Sequence, residues 1–349
     1  MNKLTKVGCS ALCGSLAAIS AANAGDLSVT GGADVTYLSQ GTTTTGNPFG
    51  MASAVTFTGS GELDNGWTFD FVTAEGDGHA WSAARVAITM GGLGTFEFDG
   101  GNSGNGIAAY DNVLPTAWEE AHGAGVSGGV KTVMGVGSSN NIQWTLPKVL
   151  GTEIALTYAH AAGKTDIADK STSGGTGTGL GRGYDATIKI NPSLGTEILS
   201  GLNLYAGGSV IEAYDNGSVI EDKYEGVGAV TYALGPVEVG AMWSGLYTGV
   251  EYTSGTGYHS YKNHGFGVAF NVNDDLSVSY GEYQSRKAGY NNSSTQGGEQ
   301  TRVVEVASWQ AAYTMGGASI RIADVKADNV LFVEDADQSA TIVSLGLAF

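Results

Sequence analysis

One group of titratable side chains lies in a long Gly- and Ser-rich connection, 102–139, which carries Asp111, Glu119, Glu120, His122 and Lys131. Close carboxylates beside an imidazole can move protons, hold a cation, or set up a local electric field. Proton chemistry finds little support. His79, His122 and His259 fall in expected connections and His160 and His264 at strand ends, so no hydroxyl–imidazole pair suggests itself. No phosphate-binding loop, dinucleotide fingerprint or zinc-protease motif occurs. Asp215-Asn216-Gly217 with Glu221-Asp222, and the stretch from Asp324 to Asp337, are rich in oxygen ligands but lack EF-hand spacing. No resident metal, no cofactor and no enzymatic activity are therefore expected. A field remains, and a field needs a scaffold that holds charges across a gap.

The chain of 349 residues has 16 Lys and Arg against 34 Asp and Glu, for a net charge of -18. Such a chain is repelled by phosphate backbones, which argues against a nucleic-acid partner. Disorder is excluded by a hydrophobic share of 42% with 16 tyrosines, and Gly is abundant at 56 residues. Lys3 and Lys6, the apolar run Val7 to Ile19 and the small-x-small triplet Ala22-Asn23-Ala24 predict a signal peptide over 1–24, leaving a domain over 25–349. Cys9 and Cys13 both lie in that leader, so cross-links are not expected to hold the domain together.

Beyond residue 24 no apolar run is long enough for a membrane helix, and the period is two. Val55, Phe57, Gly59, Gly61 and Leu63 share one face, with Thr56, Thr58, Ser60 and Glu62 on the other. Phe266, Val268, Phe270 and Val272 alternate with Gly267, Ala269, Asn271 and Asn273 in the same way. Tight turns such as Asp64-Asn65-Gly66, Gly91-Gly92, Gly235-Pro236 and Gly316-Gly317 alternate with longer polar connections. Sixteen strands are predicted: 26–38, 52–63, 67–74, 82–90, 94–100, 140–147, 151–160, 183–190, 201–212, 223–234, 236–246, 263–273, 276–286, 302–314, 318–326 and 339–349. Backbone groups in lipid must be satisfied internally, so an even set of amphipathic strands reads as a closed, antiparallel, all-β transmembrane barrel. Sixteen strands leave a wet interior, with one face greasy and the other polar. Trp67, Trp81, Tyr37, Tyr158 and Tyr280 are candidates for interfacial girdles.

Three stretches resemble Gram-negative general-diffusion porins, particularly the Gly-rich, acidic alpha-proteobacterial type. They are Leu27-Ser28-Val29-Thr30-Gly31-Gly32-Ala33-Asp34-Val35, the hairpin from Arg85 to Gly100 followed by Asn140 to Pro147, and the terminus from Thr341 to Phe349. In the last, Val343, Leu345, Leu347 and Phe349 alternate like the assembly signal of outer-membrane proteins. The resemblance implies a long third loop, 102–139, folded into the lumen, and a homotrimer in the outer membrane in contact with lipid and lipopolysaccharide. It also implies passive diffusion of ions and small hydrophilic solutes. The alternatives are a substrate-specific channel for a sugar, phosphate or dicarboxylate, and a secreted β-rich adhesin.

On this reading Asp111, Glu119, Glu120 and Lys131 line the constriction, with Tyr110 and Trp118 pinning the loop to the wall. Parity turns Arg85, Lys189 and Arg321 inward as wall cations, together with Asp34, Glu62, Asp70, Glu153 and Glu238. The dense arginine cluster and the Pro-Glu-Phe-Gly-Gly loop tip of many porins are both missing. The expectation is an acidic lumen with a modest cation preference that weakens in high salt.

Overall fold

Turn chemistry and alternation together specify the strands, and a computed structural model shows how they join. It describes residues 25–40, 46–76, 79–100, 104–126, 128–162, 181–192, 197–213, 221–249, 258–289 and 300–349. The expected leader over 1–24 and the Asp215-Asn216-Gly217 stretch lie outside these residues.

The strands are β1 (Asp26–Gln40), β2 (Phe49–Glu62), β3 (Thr68–Gly76), β4 (His79–Thr89), β5 (Thr95–Gly100), β6 (Asn140–Thr145), β7 (Thr152–Ala159) and β8 (Gly183–Ile190). Then come β9 (Leu202–Ile211), β10 (Lys223–Leu234), β11 (Val237–Tyr247), β12 (Tyr258–Asn271), β13 (Leu276–Gly289), β14 (Gln300–Met315), β15 (Ala318–Asp328) and β16 (Gln338–Ala348). Each pairs antiparallel with its sequence neighbours, and β1 pairs with β16, so the sheet is a closed sixteen-stranded barrel. Closure runs from Gly32 opposite Ala348 to Gln40 opposite Ala340, and it leaves no edge of unpaired N–H and C=O groups. Phe349 adds one more turn of the seam. It exchanges two 2.9 Å backbone bonds with Gly31, and its ring covers the space where a Gly31 Cβ would stand.

Tight turns set the register. Asn65 Oδ1 accepts from Trp67 N at 3.1 Å while Gly66 takes a φ of 79°. Asn273 Oδ1 likewise accepts from both Asp275 N and Leu276 N at 2.9 Å. Between β4 and β5, Gly94 has a φ of 85°, and a Cβ there would collide with the Thr145 carbonyl oxygen on β6. Gly94→Ala therefore meets left-handed strain and a backbone clash together, a cost of several kcal/mol at about 1–3 for the strain alone. A sharp drop in the fraction of heat-modifiable, folded barrel on gel electrophoresis is expected.

Pleating separates two faces. Phe96, Phe98, Ile142, Trp144, Leu156, Trp243, Phe266, Trp309, Ile320 and Leu345 point outward and are exposed. Ring pairs tie neighbouring strands there, including Tyr280 with Trp309 at 4.6 Å between centroids and Tyr158 with Tyr184 at 5.3 Å. Inward positions carry Asp70, Arg85, Glu97, Asp99, Asn141, Thr157, Asp185, Ser209, Glu225 and Gln310, matching the expected alternation.

Several sectors of the interior depart from it, the largest on β14 to β16. Val304 and Val306 on β14, Ala323, Val325 and Ala327 on β15, and Ala340 on β16 face inward and are buried. They pack on Ala124 and Val126 from the long connection and on Val330 and Phe332 from the β15–β16 connection. An inward side chain covered by protein has no water to face, so apolar residues are favoured there by about 1.5–3 kcal/mol per large side chain. That burial offsets left-handed backbone at Asn329, Leu331, Phe332 and Asp335, whose φ values are 54°, 58°, 63° and 59°. The interior is thus part core and part open space.

Candidate functional site

An irregular chain that leaves water must find acceptors for its N–H groups, and the inner wall supplies them to residues 104–139. Asp185 Oδ2 on β8 accepts from Ile107 N at 3.0 Å and from Val136 N at 3.2 Å, joining two points near the ends of the segment. Gly106 and Gly135 flank this knot with φ values of 67° and 50°, and a Cβ on either would strike the same carboxylate. Glu225 Oε2 on β10 accepts from Met134 N at 2.7 Å and Gly135 N at 3.2 Å, while Lys223 pairs with its other oxygen. Ser279 on β13 takes Ala117 N at 2.9 Å, and Gln310 on β14 takes Glu119 N at 2.9 Å and donates to Glu119 O at 2.8 Å. Asn263 on β12 donates to Lys131 O at 2.6 Å. The segment therefore rests on the polar face of β8, β10 and β12 to β14, which is the inside of the closed barrel.

Aromatic side chains complete the docking. The Tyr110 ring meets Tyr205 of β9 edge-on at 5.2 Å, and the Arg321 guanidinium lies 5.0 Å from the centre of the Trp118 ring. Between these contacts the acids gather. Glu119 and Glu120 both reach toward Gly123, where a Cβ would lie 3.3 and 2.7 Å from their Oε2 atoms. Burial raises the Glu119 carboxyl above its ordinary range and Glu120 adds charge repulsion and a hydrogen bond. Asp111 is also raised, by burial first and by Glu120 to a smaller degree, despite the opposing Asn112 N–H. Burial lowers the His122 imidazole, whose ring lies 4.8 Å from that of Tyr283. Lys131 is exposed and joins the segment to the wall through its backbone.

The wall cations divide into three situations. Arg85 bridges Asp70 at 2.9 Å and Glu97 at 3.3 Å, tying β4 to β3 and β5. Arg321 on β15 pairs with Asp34 on β1 and donates to Ser344 on β16 at 2.9 Å, so one guanidinium spans the closing seam while Trp118 covers its face. Lys189 lies over the Tyr205 ring at 5.2 Å, on the side where the long segment docks. Arg85 and Arg321 each carry their carboxylate partners on the wall itself. Three carboxylates, Asp34, Asp70 and Glu97, against two guanidiniums give these five ion-paired groups a net charge of -1.

The sequence alone does not single out Glu97, Asp185, Glu225 and Gln310. Their signal is parity: each is a polar inward residue in a strand whose outward positions are mostly apolar or small, with Glu305 on β14 a charged exception. His264, expected at a strand end, sits inside β12 opposite Trp243 on the outer face.

No family profile and no curated protein sequence matches this chain. Solved structures do match in fold. OmpF of Salmonella typhi, in complex with daunomycin, aligns with a TM-score of 0.65 at 12% identity, covering 93% of this chain and 98% of that one. An anion-selective porin from Comamonas acidovorans gives 0.59 at 12%, covering 93% and 100%. OmpT of Vibrio cholerae in its trimer form gives 0.60 at 10%, covering 93% and 99%.

Proposed function

We propose that this chain is an outer-membrane porin, a water-filled channel for passive diffusion of ions and small hydrophilic solutes, with a mild cation preference and no catalytic role. The observation that carries the reading is a closed sixteen-stranded barrel with an apolar outer face and ion-paired charges on its inner wall. The segment 104–139, with Asp111, Glu119, Glu120 and Lys131, acts as the constriction. The passage runs past Asp34, Asp70, Arg85 and Arg321, and Lys189 backs the docked segment. Residues 1–24 serve as the export leader and Phe349, Leu347 and Leu345 as the assembly signal. The working form is a homotrimer in contact with lipid and lipopolysaccharide. One fold relative is described as anion-selective, so the fold does not set the sign of selectivity and the wall charges must.

Purified protein in a planar bilayer should give discrete conductance steps and, under a KCl gradient, a reversal potential of cation-preferring sign. That potential should shrink as ionic strength rises toward 1 M, where the screening length falls to about 3 Å. Absence of any conductance, or clear anion preference, would overturn the corresponding part of the reading.

Acidification should erode the preference early. Asp111 and Glu119, raised above ordinary carboxyls, become neutral at a higher pH than free acids do. His122, lowered, gains its charge below the ordinary imidazole range. Both changes make the interior less negative as pH falls. Reversal potentials measured from neutral pH downward should therefore decline, and the Glu119→Gln variant should flatten the decline.

A further inference from the structure

Beside the β14–β15 turn the inner wall opens into a cavity of about 580 Å³, a size suited to a small organic molecule. Its sides are made largely of backbone and methyl groups, from Gly32, Ala52, Ala54, Gly317, Ala318 and Ala348. Its ionic groups are Asp34 and Arg321, and they are unequally available. The Arg321 side chain is 18% exposed: Asp34 and Ser344 occupy one of its terminal nitrogens, Trp118 covers its face, and its Nε is buried. The Asp34 side chain is 39% exposed. Arg321 and Ser344 both bond its Oδ1, while Oδ2 takes no hydrogen bond from the described residues, and the residue lines the cavity. Gly346 packs against the pair, since a Cβ there would stand 2.5 Å from Arg321 Nη2 and 2.8 Å from Asp34 Oδ1. The carboxylate is therefore held rigidly by one oxygen.

We propose that this cavity is a binding subsite for organic cations, taking an ammonium group on Asp34 and an apolar body against the small-residue wall. The inference rests on the channel reading and adds a site to it. A mostly apolar recess with one well-placed charge is the usual form of a small-molecule site, and an ammonium–carboxylate hydrogen bond supplies its direction. Anions meet Asp34 and a wall of net negative charge, and neutral molecules of the same shape forgo the charged bond.

The test uses the full-length channel in planar bilayers with three probes sharing one ring system: tryptamine as cation, indoleacetate as anion and tryptophol as neutral alcohol. Tryptamine should reduce the current in a saturable way, while the other two should block at least about tenfold more weakly, as one charge-assisted bond implies. Asp34→Asn should weaken the tryptamine block by a similar factor. Ala52→Phe, which fills the cavity without altering charge, should abolish it. Equal block by all three probes, an open channel insensitive to tryptamine, or a tryptamine block unchanged in both variants would overturn the subsite. A protein that inserts but carries no current would instead overturn the channel reading beneath it.

Discussion

Asp185→Ala should release the segment 104–139 from the wall and raise single-channel conductance, with frequent transitions between levels. One carboxylate oxygen holds Ile107 N and Val136 N together, so the substitution unties both ends of the segment at once. Two buried N–H donors lose their acceptor, at about 1–3 kcal/mol each. Even the lower sum shifts a docked-to-undocked ratio by more than tenfold. Glu225 still holds Met134 and Gly135, so the barrel should fold and the loosened segment should stay partly tethered. Asp185→Asn is the control. Both bonds use the same oxygen, and an asparagine can present its carbonyl there, so conductance close to that of the unaltered protein is expected. Limited proteolysis gives an independent readout, with cleavage inside 104–139 in the alanine variant alone. Equal conductance and equal protease resistance in the alanine variant would show that the carboxylate does not hold the segment in place.

Replacing Arg85 and Arg321 together by glutamine should produce the largest change in ion selectivity. The wall group of Asp34, Asp70 and Glu97 goes from net -1 to net -3 when its two guanidiniums are removed. Each carboxylate is then left without a paired cation, and its field is no longer cancelled locally. Potassium over chloride preference should rise severalfold at low salt and fall back toward the parent value near 1 M, where the screening length is about 3 Å. The two single variants separate the contributions. Arg85→Gln frees two acids and should account for most of the selectivity change. Arg321→Gln frees one acid and also removes the cation beneath Trp118, so it should add conductance noise from a less firmly docked segment. Selectivity unchanged in the double variant would mean that ions do not pass along this wall.

The strand pattern was legible because each face needs one kind of residue and the pleat is a local property. All sixteen predicted strands occur, most with ends displaced by a few residues. The largest displacement is at the start of β12, expected at residue 263 and found at Tyr258. Ser260 and Lys262 lie beyond the apolar outer band, so polar residues occupy the outer face there and alternation fades. Tyr110 and Trp118 could be named as anchors because a long polar connection offers few other groups able to grip a wall. The apolar sector of β14 and β15 was not legible as interior core, since Val304, Val306 and Val325 look the same in sequence whether they meet lipid or a docked segment.

Read alone, the amino-acid order determined the number of strands, their faces, the alternation of tight and long connections, and the inward direction of Asp34, Asp70, Arg85, Lys189 and Arg321. Those follow from a two-residue period and from turn chemistry, which act over a few neighbouring positions. The closed barrel decided which groups far apart in the chain meet. Arg321 finds Asp34 across 287 positions of chain because β1 and β16 join, and Asp185 gathers Ile107 and Val136 because an intervening segment turns inward. Pairing between distant residues depends on closure of the whole sheet, and no local periodicity encodes it.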